Sequence, residues 1–101
     1  MSASSRPTSD EPVAERSCTI VNELGLHARA ATKLVHLASK YRAEVELSKD
    51  GQSANAKSVM GVLLLCGSRG TAVTVQAHGA DADEAVAAIA ALIASGFGEA
   101  T

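Results

Sequence analysis

The chain has 101 residues, 47% of them hydrophobic but with one Tyr, one Phe and no Trp, so it is one domain's length and its core must be built from Ala, Val, Leu and Ile. The formal net charge of −2 hides a division: residues 18–79 are basic by +3, and everything after them carries only the acids Asp81, Asp83, Glu84 and Glu99. A mildly basic face suits acidic protein partners or phosphate, whereas the lack of a basic run or of aromatic platforms argues against nucleic acid.

Residues 1–17, MSASSRPTSDEPVAERS, are rich in Ser, Pro and charge. They offer little to bury and are expected to form a disordered tail, with the folded domain over 18–101. The tail has no apolar segment of the signal-peptide kind. The longest apolar run, AVAAIAALIA at 85–94, is too short to span a bilayer, and a cytoplasmic protein is expected.

CTIVNEL is β-branched and alternating, which predicts a strand over 18–23. From Ala28 the period changes. Ala31, Leu34, Val35 and Ala38 recur at helical spacing, with Lys33, His36 and Lys40 off that stripe. AEVELS alternates again, and Asp50-Gly51 is a turn signal before a short strand at 52–55, together a hairpin. VMGVLLL after Ser58 fits a buried strand or a helix, and Ser at the N-cap position favours the helix. Val62 and Leu65 are expected on its inward face. TAVTVQAH predicts a strand through Val73, Val75 and Ala77, ended by Gly79. Asp81 and Asp83 then open a long helix with Val86, Ile89, Ile93 and Phe97 on one face and acids where the helix dipole favours them. The order β-α-β-β-α-β-α predicts an α+β fold with helices on one face of a mainly antiparallel sheet.

His27 falls where the first strand gives way to the first helix. The first N–H groups of a helix lack internal partners, and the macrodipole places roughly half a positive charge there. Phosphate is stabilised at such an end, and the same field disfavours imidazolium, keeping a ring nitrogen free as a nucleophile. Arg29, two residues on, adds a guanidinium that matches phosphate oxygens. From position alone, a histidine at a helix start is more often a plain capping or turn residue than a functional one. His36 reads as a solvated helix residue and His78 as a strand-end residue. His27 and His36 are about 900° apart on a helix of 3.6 residues per turn, on opposite faces, and cannot chelate together; no metal site is expected. The two cysteines, Cys18 and Cys66, fit no CxxC or Cys/His pattern and read as small buried hydrophobes. No G-x-S-x-G elbow or P-loop is present.

IVNELGLHARAATKLV, followed by NAKSVMGVLLL and GTAVTV, resembles the HPr family, the histidine phosphocarriers of the bacterial phosphoenolpyruvate-dependent phosphotransferase system, over about residues 18 to 97. The resemblance implies an open-faced β-sandwich, a four-stranded sheet with three helices on one face. It implies that His27 is the phosphohistidine, taking the phosphoryl group on Nδ1 from enzyme I and handing it to a IIA protein or domain, with Arg29 as the accompanying arginine. Ser58 matches the serine that an ATP-dependent HPr kinase modifies in some lineages, although capping alone would also explain it. Val59, Met60 and Leu63 match the partner-docking patch, and Lys57 the basic position beside it. No cofactor is implied, the carrier is expected to be a monomer, and a nitrogen-type regulatory branch of the same system is the alternative to sugar transport. The family often reads HARPA where this chain has Ala30, which exchanges some rigidity in the first helical turn for one more N–H.

Overall fold

The computed structural model describes residues 12–99. Its elements are β1 (Val13–Thr19), α1 (Ala28–Ala38), β2 (Glu44–Lys49), β3 (Gln52–Asn55), α2 (Val59–Leu64), β4 (Ala72–His78) and α3 (Ala82–Ala94), closed by a single 3-10 turn at Gly96–Gly98. The strands form one antiparallel sheet in the order β1-β4-β2-β3. The expected element order and the α+β open-faced sandwich are both found.

Alternation along each strand divides the sheet into two faces. Val45 pairs with Ala77, and Leu47 with both Val75 and Ala54. These side chains meet the buried faces of the helices, Ala30, Ala31, Leu34 and Ala38 of α1 and Ala85, Val86, Ile89 and Ile93 of α3. The opposite face stays polar, with Asn55, Glu46, Gln76 and Glu15 in one row across all four strands. Gln76 Nε2 donates to Glu15 Oε1 at 3.1 Å along that row. Helix α3 lies against β1 and β4, and α1 packs on both α2 and α3. The hairpin turn is the expected Asp50-Gly51, with φ of 50° and 81°, the pair of left-handed residues that a two-residue turn requires.

Two expectations are corrected. The first strand runs over Val13–Thr19 rather than 18–23, so residues 13–17 of the expected tail are sheet; residues 1–11 lie outside the described residues. The register explains it. The helix-side positions of β1 are Ala14, Arg16 and Cys18, opposite Ala77, Val75 and Val73, and an exposed arginine on the inner face of an edge strand spoils the apolar alternation while blunting the edge. The strand is held by its pairing with β4 more than by its own pattern.

The second correction concerns Phe97, which lies beyond α3 rather than on it. The helix ends at Ala94, and Gly96, Phe97 and Gly98 follow with φ of 70°, 59° and 72°. A left-handed conformation costs a non-glycine residue about 1–2 kcal/mol, while burying a Phe side chain contributes about 1.5–3 kcal/mol. Phe97 is completely buried, so burial outweighs the backbone cost. Lys33 Nζ donates to the Phe97 carbonyl at 2.7 Å, and the chain is thereby turned back towards the start of α1.

Candidate functional site

The segment before α1 is shaped by Gly25. Its φ is +66°, and a Cβ there would stand 2.5 Å from the Gly67 carbonyl oxygen. Only glycine fits. That close approach lets the Leu26 amide donate to the same Gly67 carbonyl at 2.8 Å, while the Leu26 side chain is buried against the core. With Gly25 turned and Leu26 anchored, His27 is delivered to the helix start.

His27 is the N-cap of α1, with φ −80° and ψ 179°. Its carbonyl accepts the first helical bond, from Ala31 N at 2.8 Å. Its ring Nδ1 accepts from the Arg29 amide at 3.3 Å, a side-chain cap of the usual kind made by an imidazole. The expectation of uncommitted first-turn amides is therefore amended, since the ring itself holds one of them. An accepting Nδ1 carries a lone pair, so the proton of the neutral ring sits on Nε2. Nε2 donates to Glu99 Oε2. The ring is 25% exposed and the Glu99 side chain 13%.

Glu99 is fixed from its other side. Asn22, 2% exposed, donates from Nδ2 to Glu99 Oε1 and to the Gly25 carbonyl, both at 2.9 Å. The bond from His27, then that from Asn22, hold the Glu99 carboxyl below the usual carboxylate range, helped by the charge of Lys33 and opposed by burial. Neither Glu99 nor Asn22 emerged from the sequence as a site residue. Glu99 is 72 positions from His27, and only the left-handed turn at Gly96–Gly98 brings the two together.

Arg29 is exposed in the first turn of α1. Ser58 is the N-cap of α2, its Oγ accepting from the Gly61 amide at 3.0 Å. As expected, Val62 and Leu65 face inward and are buried. Val59 and Leu63 are partly buried and Met60 is 66% exposed. The sequence reading overlooked Leu64, 69% exposed on the same helix, because a six-residue helix is too short to show which apolar positions are surplus to the core. Lys57 is half-buried, with Nζ donating to the Tyr41 carbonyl at 2.8 Å; it lines a groove with Arg42, Glu44 and His78 that excludes His27. Cys66 corrects the reading of both cysteines as buried: it follows α2 with φ +54° and is exposed, while Cys18 is half-buried with its thiol pushed up by desolvation. His36 is exposed on α1, and His78 Nε2 lies 3.6 Å from Glu44 Oε1. Among the described residues no helix is long and apolar enough to cross a membrane.

Comparisons with known proteins identify relatives of the chain in sequence and in fold. The family model described as the phosphorylation site of the phosphotransferase-system HPr component matches residues 14–95. The phosphocarrier protein HPr of Cupriavidus necator is 47% identical over 85 residues, 84% of this chain and 96% of that protein. The phosphocarrier protein NPr of Shewanella violacea is 48% identical over 87 residues, 86% of this chain and 96% of that one. The crystal structure of HPr-C-His from Thermoanaerobacter tengcongensis superposes with a TM-score of 0.84 at 42% identity, covering 87% of this chain and 99% of the other. A helix capped by a histidine ring, on an open-faced sheet matched along its whole length by such relatives, places the chain in the HPr family of phosphocarrier proteins.

Proposed function

We propose that His27 is the phosphoryl acceptor and donor of this carrier, charged at Nδ1 by phospho-enzyme I in the cytoplasm and discharged to a IIA protein or domain. The supporting observation is the state of the ring. Nδ1 holds an in-plane lone pair directed at the Arg29 amide, and the ring is open enough to solvent for a donor phosphorus to approach.

In the forward step the Nδ1 lone pair attacks phosphorus, the N–P bond of the donor breaks, and its electron pair returns to the donor nitrogen. Nδ1 then no longer accepts, and the Arg29 N–H is released to a phosphoryl oxygen. The same amide thus serves the free and the charged ring. The positive end of α1 and the exposed Arg29 guanidinium stabilise the added charge. The protein takes up one phosphoryl group and gives it up to a second partner without converting a substrate of its own, so in this reading it acts as a stoichiometric relay.

Val59, Met60 and Leu63, joined by Leu64, form the docking patch in this reading, and Ser58 is the modification site where a serine kinase is present. Lys57 contributes positive charge at the start of α2, although its bond to Tyr41 gives it a structural task as well. Sugar transport is the first assignment. The similarity to the NPr of Shewanella violacea favours a second, in which phosphorylation in a nitrogen-type branch regulates a partner.

Incubation with phosphoenolpyruvate and a purified enzyme I, read by intact mass, tests the proposal. A gain of roughly 80 Da, labile in acid and stable in base, is expected for the wild type, His36→Ala and His78→Ala and not for His27→Ala. An acid-labile gain on His27→Ala would refute the site. Comparing sugar-type with nitrogen-type enzyme I as donor separates the two branches.

A further inference from the structure

The contact between Glu99 and His27 joins a residue beyond the matched family region, which ends at residue 95, to one within it, and the carrier chemistry just described makes no use of it. We infer that Glu99 is a positioning residue that keeps the proton on His27 Nε2 through the whole phosphoryl cycle, an inference that rests on His27 being the phosphorylated residue.

The ring is held at both nitrogens. The Arg29 amide donates to Nδ1, and Nε2 donates to a carboxylate that Asn22 fixes from behind. The tautomer is therefore set before the donor arrives, and Nδ1 is the nucleophile without any prior proton shift.

The proton count gives the contact its further use. When Nδ1 bonds to phosphorus, the neutral ring that carried a proton on Nε2 becomes a phosphoimidazolium, with positive charge on the ring and two negative charges on the phosphoryl oxygens. The proton on Nε2 neither leaves nor arrives. On discharge the Nδ1–P bond breaks, its electron pair returns to Nδ1, and the neutral Nε2–H ring is restored. A phosphoimidazolium loses its phosphoryl group readily because the leaving group is neutral imidazole. If Nε2 loses its proton the leaving group is an imidazolate, and transfer slows. A carboxylate in hydrogen-bond contact with Nε2 stabilises the form that transfers.

The surrounding charges are few. Glu99 comes from the C-terminal turn, and Arg29 and Lys33 from α1, with Lys33 bonded to the Phe97 carbonyl. The loop before α1 carries exposed Glu23, and the loop after α2 carries exposed Arg69. Of these, Glu99 alone touches the ring through its side chain among the described residues. Asn22 retains one buried oxygen, Oδ1, without a partner. Rotating the amide would turn that oxygen towards Glu99 and lose the bond, so the carboxylate dictates how Asn22 is oriented.

The test uses the full chain with Glu99→Gln, which keeps the shape and removes the charge, and Glu99→Asp, which keeps the charge on a shorter stem. Transfer from the charged carrier to a IIA acceptor is followed across pH, together with 15N shifts of the His27 ring before and after phosphorylation. In the wild type Nε2 is protonated in both states. For Glu99→Gln the alkaline fall in transfer is expected to begin at lower pH than in the wild type, with the thermal melt near that of the wild type, and Glu99→Asp is expected to recover part of the difference. Coincident profiles for wild type and Glu99→Gln, or a free wild-type ring protonated on Nδ1, would overturn the inference while leaving the phosphorylation of His27 intact. A wild-type protein that gains no phosphoryl mass would overturn the carrier proposal and this inference with it.

Discussion

Lys33 Nζ lies 2.7 Å from the carbonyl oxygen of Phe97, so the helix that begins at His27 also holds the turn that carries Glu99. Site and core are coupled at this point. Phe97 is the largest fully buried side chain, and truncating a buried Phe costs about 3–5 kcal/mol, a large share of the stability of about 5–15 kcal/mol that a small domain has. Phe97→Ala is therefore expected to lower the urea midpoint sharply. Phe97→Leu, which keeps more of the buried apolar volume, should cost less than Phe97→Ala and remain folded. A midpoint for Phe97→Ala within error of the wild type would mean that the turn is not part of the core.

Gly25→Ala should be among the most damaging small substitutions in the chain. The backbone there is left-handed at φ +66°, and the added carbon would stand 2.5 Å from the Gly67 carbonyl oxygen. The strain alone is about 1–2 kcal/mol, and relieving the clash moves the acceptor of the Leu26 amide. A melt lowered by several degrees and slower phosphoryl acceptance are expected together. Gly51→Ala is the control, because nothing lies within 4 Å of its added carbon: it should melt lower by strain alone and accept phosphoryl groups at the wild-type rate.

These positions also show what could be read from the chain. The Gly25-Leu26-His27 sequence, the helical stripe of α1, the Asp50-Gly51 turn and the Ser58 cap are local devices, each settled within a few residues. Strand β1 escaped because its inward positions include Arg16, whose partner Val75 is 59 residues away and identifies the face only once the sheet exists. Glu99 escaped for a related reason. A glutamate after a Gly-Phe-Gly sequence has no periodicity to interpret, and its meeting with His27 depends on Phe97 taking a left-handed conformation that only tertiary burial compensates. Asn22 falls within the strand expected over 18–23, whereas the strand ends at Thr19 and Asn22 makes buried bonds to Gly25 and Glu99 that no local pattern announces.

Acid should weaken the fold through Asp81. Its carboxylate accepts from the amides of Arg42, at 2.9 Å, and Ala43, at 2.7 Å, fastening the approach to β2 onto the start of α3 and giving no cap bond to its own helix. The Arg42 bond first, then that of Ala43, with the Lys57 charge assisting, hold the Asp81 carboxyl below its ordinary value. A carboxyl depressed in the folded state contributes stability in full above its unfolded value of about 3.9, and that contribution is lost as pH falls through the folded value. The urea midpoint should therefore fall below about pH 4, and Asp81→Asn, which is less stable at pH 7, should converge on the wild type in acid. Glu99 acts with the same sign. A constant gap between Asp81→Asn and the wild type from pH 7 to pH 2.5 would show that the charge of Asp81 is not the stabilising feature.

At Ser58 the cap and the charge can be separated. Ser58→Ala removes the acceptor for the Gly61 amide and should cost about 1 kcal/mol, with little effect on phosphoryl transfer. Ser58→Asp keeps an acceptor and places a negative charge at a helix start, where the dipole accepts it. It should melt near the wild type yet slow transfer from enzyme I, since the charge sits beside the apolar residues that partners are proposed to contact. Equal transfer rates for the wild type and Ser58→Asp would reduce Ser58 to a cap.

Exposure decides which residues of α2 can be tested for docking without unfolding the domain. Met60 and Leu64 are 66% and 69% exposed, whereas Val62 is fully buried. Met60→Glu and Leu64→Glu should alter stability by no more than about 0.5 kcal/mol. Val62→Glu, placing an unpaired charge in the core, should not fold. If the exposed pair anchors enzyme I, each substitution should weaken binding by more than about 1 kcal/mol, a factor of about five or more in Kd by calorimetry. The electrostatic direction adds to this effect. The middle of the chain is basic, and a partner suited to it is acidic, so a new glutamate loses apolar contact and meets like charge. Met60→Gln separates the two contributions, because it removes apolar contact and adds no charge. Should Met60→Glu and Leu64→Glu both bind enzyme I as tightly as the wild type, docking must occur elsewhere, and the exposed apolar side chains of α2 would need another partner.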